Sequence, residues 1–245
     1  MFKNISLFIL LIIGAGLTAC SFALNKKISS ERITVLNTES KEQNSIDSIV
    51  NPFKKELQIE MNQKIAFAEV DFINERYNGN LGSLVADVFL EKGKQLDEVK
   101  KSGLDAVCVI NWGGLRASIN KGDVLLNDVY KLLPFDNYLV AVKLQKKTFL
   151  DIQKWIIRSG GHPIAGFRIE KDKIIDAQGN EILVENNTEE IWVITNDYLM
   201  NVGDNAVFFT TNSGIVQSNY LLRDVFLEKI KNTSMKDIQE KRIIL

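Results

Sequence analysis

A mixed α+β fold, with helices packed on a mixed β-sheet in a single domain, is the class that three observations predict. Helix-period and strand-like segments alternate from about residue 80 onward. The alternation is not a strict strand-helix-strand repeat, which argues for a mixed rather than a purely parallel sheet. The roughly 195 residues over 51–245 suit one domain with a sizeable core. Leu81, Leu84, Val85, Val88 and Phe89 fall at helical spacing behind Asn80, a residue type that caps helices. Residues 105–110 (DAVCVI) read as a buried strand in which Cys108 is an inert thiol. A short helix over 127–133 and a strand over 137–144 follow. Thr148 opens a helix whose apolar face is Phe149, Ile152, Trp155 and Ile156, and Ser159-Gly160-Gly161 stops it. Residues 163–170, 173–175, 182–184 and 191–195 read as strands, with Asp176-Ala177-Gln178-Gly179-Asn180 as a turn. Residues 220–230 form a last amphipathic helix and 242–245 a last strand.

The N-terminus carries a different signal. Lys3 precedes an apolar run over 5–17 that is short for a membrane span and stops at Leu17-Thr18-Ala19-Cys20. Small residues just before a Cys resemble a bacterial lipobox. Residues 1–19 are therefore expected to be a lipoprotein signal peptide and Cys20 the lipidated residue; an ordinary secretory signal that happens to contain Cys20 is the alternative. Residues 20–50, rich in Ser, Asn, Lys and Glu, read as a tether, and 51–245 as the folded domain. The expected location is outside the cytoplasm, lipid-anchored to a bacterial membrane and facing the periplasm. With Cys20 acylated, Cys108 has no disulfide partner. Thirty basic residues against 31 acidic ones leave no electrostatic footprint for polymeric nucleic acid.

Three loops gather polar and aromatic groups at the ends of elements, where binding residues concentrate. They are Asn111-Trp112-Gly113-Gly114-Leu115-Arg116, Leu133-Pro134-Phe135-Asp136-Asn137, and Asn196-Asp197-Tyr198-Leu199 running to Val202-Gly203-Asp204-Asn205. With them come Arg76, Asn80-Leu81-Gly82-Ser83-Leu84, Gly122-Asp123, Asp128-Val129-Tyr130, Ser159-Gly160-Gly161 and Gly166-Phe167-Arg168. In this order, over roughly 57–245, the motifs resemble the C-terminal, substrate-binding domain of the bacterial and animal 5'-nucleotidases, whose usual Asn-Gly-Gly-Gly-Ile-Arg stands here as residues 111–116.

The resemblance implies a nucleoside held between two aromatic rings, here Phe135 and Tyr198. Taken singly each ring is more often core, but a purine offers two flat faces for stacking. It further implies that Asp204 accepts hydrogen bonds from ribose hydroxyls and that Asn111 bonds the base or ribose. Arg116 would hold the phosphate through its planar fork, with Arg76 assigned the same group; a surface ion pair is the plainer reading of Arg116. Gly113 and Gly114 would let the backbone approach the ligand, and Asn137 completes the set. Trp112 replaces a family glycine, either as a ring in the pocket wall or packed under the loop. Val202 and Asn205 also replace glycines, and a left-handed Val would be strained.

Whole members of the family carry a metallophosphatase domain with two metal ions. The 245 residues contain one histidine, His162, and no Asp-x-His or Asn-His-Glu/Asp run, so no metal or other cofactor is expected on this chain. His162, in a Gly-Gly-His-Pro loop, reads first as a solvated side chain and second as a pocket contact. Three functions remain open: the substrate-binding part of a 5'-nucleotidase whose divalent metals sit on a separate metallophosphatase chain, a non-catalytic nucleotide-binding lipoprotein, or an enzyme of another mechanism. For the last, no nucleophile with an oriented base is evident.

Overall fold

The structure is a computed structural model that describes residues 41–245, with side chains from 48 onward. The expected signal peptide, the expected lipid anchor at Cys20 and most of the stretch read as tether lie outside the described residues. Val50–Leu245 forms one compact unit.

The fold is α+β. Its helices are α1 (Lys41–Met61), α2 (Asn80–Lys94), α3 (Asp97–Ser102), α4 (Leu126–Leu132), α5 (Phe149–Arg158), α6 (Asp197–Met200) and α7 (Leu222–Ile230). The strands are β1 (Lys64–Ala68), β2 (Ala106–Val109), β3 (Gly122–Leu125), β4 (Tyr138–Gln145), β5 (Ile164–Ala165), β6 (Phe167–Glu170), β7 (Lys173–Asp176), β8 (Glu190–Asn196), β9 (Gly214–Leu221), β10 (Ser234–Met235) and β11 (Ile243–Ile244). The central sheet has the order β5-β2-β8-β4-β9, with β2 parallel to β8 and the other pairs antiparallel. Two three-stranded sheets, β10-β1-β3 and β11-β6-β7, flank it.

The two-residue period of the central strands builds two cores, one on each face of the sheet. Cys108, Leu139, Ala141 and Ile194 point to one face, where they meet Leu81, Val85 and Phe89 of α2 and Phe226 of α7. Val107, Val109, Val140, Val142 and Val193 point to the other, where they meet Phe149, Ile152 and Ile156 of α5. This is why β2 and β8 read as unbroken apolar runs: both faces are covered. Gly93 lets α2 lie close to the sheet, since a Cβ there would come 2.6 Å from Ile194.

Five details differ from the sequence reading. Asn80 does not cap α2; Gly79 does, and the Asn80 amide instead ties the preceding loop, accepting from the Ile73 N–H at 2.9 Å and donating to the Asp71 carbonyl at 3.0 Å. The stretch 163–170 is broken into two strands by Gly166 at φ +81°. Residues 182–184 form no strand; only a bridge between Ile175 and Glu181 marks that edge. The last long helix begins at Leu222, because 214–221 pairs with β4 as an edge strand of alternating exposure. Finally, α1 begins inside the stretch read as tether: its apolar residues, exposed at Ile49, Phe53 and Leu57, stand at helical spacing but are interleaved with Lys, Glu and Pro52.

Candidate functional site

Parallel β2 and β8 end at the same side of the sheet, and antiparallel β4 begins there, with Leu139 paired to Asn196. The loops after β2, before β4 and after β8 therefore emerge together, at the carboxyl ends of the parallel pair, where ligands bind in open sheets.

In the first loop, Trp112–Gly114 makes a 3₁₀ turn, so Trp112 needs no positive φ. Neither Gly113 nor Gly114 has a positive φ; a Cβ on Gly114 would press on Asn111 Oδ1 at 3.0 Å, whereas one on Gly113 would meet only Asn111 Nδ2 at 3.8 Å. Asn111 is buried, and its Oδ1 accepts from Asn196 Nδ2 at 2.9 Å. Asn196 Oδ1 in turn accepts from the Leu199 N–H and caps α6. That chain leaves Asn111 Nδ2 without a protein acceptor among the described residues. Arg116 is exposed; its Nη1 donates to the Gly113 carbonyl at 3.4 Å, and it has no carboxylate partner among the described residues. The surface ion pair considered for it is not formed among the described residues.

The second loop is held from α7. Arg223 donates from Nη2 to Asp136 at 2.7 Å and from Nη1 to the Leu133 carbonyl at 3.1 Å, with its guanidinium 4.5 Å from the Tyr130 ring centroid. A fixed loop explains how Phe135 stays 49 % exposed without a partner ring among the described residues. Sequence reasoning missed Arg223, which looks like one charge on an amphipathic helix; the only signal was an Arg in the otherwise apolar face of α7.

The third loop is strained and tied down. Val202, Asp204 and Asn205 all have left-handed φ, at +66°, +51° and +58°, so the strain foreseen for Val202 is present. For the β-branched Val202 this costs about 1–2 kcal/mol and persists only where surroundings over-determine it, whereas Asp and Asn tolerate the conformation better. The Tyr198 hydroxyl donates to Asp204 Oδ1 at 2.8 Å, and Trp155 Nε1 donates to the Asp204 carbonyl at 2.8 Å. The Tyr198 ring lies against Gly203, where a Cβ would come 2.5 Å from it, and Tyr198 remains 43 % exposed.

His162 is not solvated. It is 4 % exposed, its ring stacked on Trp155 with centroids 3.8 Å apart and planes within 4°. Nδ1 accepts from the Trp112 N–H at 3.0 Å, which puts the proton on Nε2, 2.7 Å from Ser159 Oγ. Burial pushes its pKa from 6.5 down to about 4, with Asp204 opposing and Arg76 adding to the fall. The imidazole and Trp155 thus join the first loop to the third from behind.

A cavity of about 380 Å³ opens between the loops, within the range of small-molecule sites. Seven of the nine residues singled out from the sequence line it: Asn111, Gly113, Arg116, Phe135, Asn137, Tyr198 and Asp204. Gly114 borders an adjoining crevice with Asn111 and Phe135. Arg76 is the exception. It lines neither; its guanidinium lies 4.2 Å from the Trp112 ring centroid and donates to the Ser159 carbonyl, so it braces the wall behind the first loop and Trp112 packs under it.

The described residues hold no group of three or more His, Cys, Asp or Glu side chains that could bind a metal ion. Both ring nitrogens of His162 are engaged, and burial pushes the Cys108 thiol far above its usual range. A two-metal centre does not fit the donors present among the described residues.

Residues 64–160 match the family described as the 5'-nucleotidase, C-terminal domain. The chain is 27 % identical over 211 residues to the trifunctional nucleotide phosphoesterase protein YfkN of Bacillus subtilis, covering 76 % of this chain and 14 % of that protein. It is 27 % identical over 234 residues to a 5'-nucleotidase of Vibrio parahaemolyticus, covering 89 % and 40 %. The chain thus spans less than half the length of these relatives. Among solved structures, a 5'-nucleotidase precursor from Thermus thermophilus aligns with a TM-score of 0.65 and 23 % identity over 82 % of this chain and 43 % of that one. The Haemophilus influenzae NAD nucleotidase aligns with a TM-score of 0.57 and 17 % identity over 82 % and 41 %. At these identities the structural matches establish a shared fold.

Proposed function

We propose, from the match of residues 64–160 to the family described as the 5'-nucleotidase, C-terminal domain, that this chain is the nucleotide-recognising part of a 5'-nucleotidase-type phosphohydrolase, working with a separate metallophosphatase chain. One observation carries the reading. Two half-exposed rings, an arginine with no carboxylate partner among the described residues, a carboxylate and a buried amide converge from three loops on one open cavity.

Each group has a use on a nucleotide. Phe135 and Tyr198 offer faces on which a base stacks, worth about 1–3 kcal/mol per base. The free Nδ2 of Asn111 donates to the base or ribose. Asp204 accepts from sugar hydroxyls, and Arg116 gives the phosphate a charge-assisted, bidentate contact. Asn137 lines the cavity between these groups. The family's metals would activate water and stabilise the transferring phosphate; the residues of this chain bind and orient the nucleotide, and their binding energy positions the phosphate for attack. On the same reading Cys20 carries a lipid that holds the domain at a bacterial membrane facing the periplasm.

The test uses the purified chain in two assays. Adenosine and AMP should bind in a calorimeter, while no phosphate is released from AMP with zinc, manganese, cobalt or magnesium. A metallophosphatase encoded beside this gene should then confer hydrolysis that requires both proteins. Metal-dependent hydrolysis by the chain alone would overturn the division of labour. Binding with no hydrolysis in any combination would instead favour a non-catalytic nucleotide-binding lipoprotein.

A further inference from the structure

Tyr198 does two things at once in this cavity. Its ring lines the space and stays 43 % exposed, whereas its hydroxyl is committed to the protein: it donates to Asp204 Oδ1 at 2.8 Å and accepts from the Asp204 N–H at 3.3 Å. The two bonds close a small ring around a residue whose backbone is left-handed, in a loop where Val202 and Asn205 are left-handed as well. Trp155 Nε1 holds the Asp204 carbonyl from the far side, and Gly203 fills the face of the Tyr198 ring turned to the protein. The carboxylate is therefore locked in one orientation through one oxygen. The other, Oδ2, has no protein partner among the described residues, and Asp204 lines the cavity. An ionised carboxylate accepts and does not donate, so a ligand must bring a hydroxyl or N–H donor to that oxygen.

We propose that the Tyr198 hydroxyl is a specificity-determining group: by locking Asp204 through Oδ1 it presents Oδ2 alone to the sugar edge of a nucleoside, and the site selects a hydroxyl-bearing ribose over one that lacks its hydroxyls. The inference rests on the nucleoside-recognition reading above and adds a role which the stacking of the ring does not supply. A site built to bond a hydroxyl rejects the analogue lacking it, because its own polar group is then left unpaired. The lock also lowers the cost of ordering Asp204 when the ligand arrives.

Tyr198→Phe separates the two roles, since it keeps the ring and removes the oxygen. Calorimetry on the full chain with adenosine and with 2',3'-dideoxyadenosine reads both. The wild type should favour adenosine by about tenfold or more, one decade per 1.4 kcal/mol. In Tyr198→Phe adenosine binding should weaken by about tenfold and dideoxyadenosine binding by less than threefold, so that the preference falls below about threefold. Asp204→Ala should abolish the preference in the same way, and thermal melts of both variants establish that they fold. An unchanged adenosine preference in Tyr198→Phe overturns the inference and leaves nucleoside recognition standing. Equal weakening of both ligands overturns it too, because the hydroxyl would then support the ring or loop and not the choice of sugar. Failure of the wild type to bind either nucleoside overturns the recognition reading and this inference with it.

Discussion

Single residues divide into those that face the cavity and those that hold them. Arg116 faces it, with no carboxylate among the described residues to neutralise it. Arg116→Ala should weaken AMP binding by about tenfold or more, the worth of a hydrogen bond to a charged group, and adenosine binding by less than about twofold. Calorimetry with the two ligands measures the difference; equal losses would mean that Arg116 shapes the loop rather than meeting a phosphate. His162 holds from behind, and it makes stability depend on pH. Its pKa is about 4 in the folded protein against an ordinary 6.5. Between those values the unfolded chain takes up a proton that the folded one refuses. The contribution is complete above pH 6.5 and is lost as pH falls toward 4, the loss reaching roughly 2 kcal/mol by pH 5. Urea denaturation at pH 7 and pH 5 should show the loss in the wild type. His162→Phe keeps a flat ring on Trp155 but does not titrate, and should lose about 2 kcal/mol less over the same interval. The cavity residues were legible because they stand in short motifs at the ends of elements, and the resemblance of those motifs, taken in order, to a known family gave each its expected role. His162 was not: Gly-Gly-His-Pro looks like a solvated loop, and only the fold places the Trp155 ring and the Trp112 amide against it.

At the level of elements, α2 gives a case where propensity and packing disagree. Alanine replacing Gly93 should favour a helix by about 1 kcal/mol. Its Cβ would, however, stand 2.6 Å from the fully buried Ile194 side chain, and overpacking of that kind costs typically about 1–3 kcal/mol. Packing wins, and Gly93→Ala should lower the melting temperature; a higher one would mean that α2 can lift from the sheet without loss. The same contrast explains which elements could be read in advance. Strand β8 and helix α5 carry strong apolar patterns because the central sheet is covered on both faces. Edge strand β9 exposes Ile215, Gln217, Asn219 and Tyr220 and only half-buries Val216 and Ser218, so apolar and polar residues fall on both sides and no clean alternation announces it. The two-residue strands β10 and β11 exist only through their partners β1 and β6. Arg223 belongs here as well, since its bond to Asp136 joins helix α7 to the Phe135 loop across 87 positions of sequence.

Taken whole, the molecule is a scaffold that brings three loops to one end of a sheet and turns two ring faces, a carboxylate and a cation into the same cavity. The proposed division of recognition from hydrolysis rests on a cavity that gathers polar and aromatic groups, and on described residues among which no group of His, Cys, Asp and Glu could hold a metal ion. The measurement that tests the central claim most directly is calorimetric titration of the purified chain with AMP, run beside Phe135→Ala. Phe135 makes no ring pairing among the described residues and is half exposed, so its removal should leave the fold intact. Saturable binding by the wild type, weakened about tenfold or more in Phe135→Ala at an unchanged melting temperature, is the result the account requires. An AMP affinity equal in both proteins, or no binding by the wild type, would contradict it.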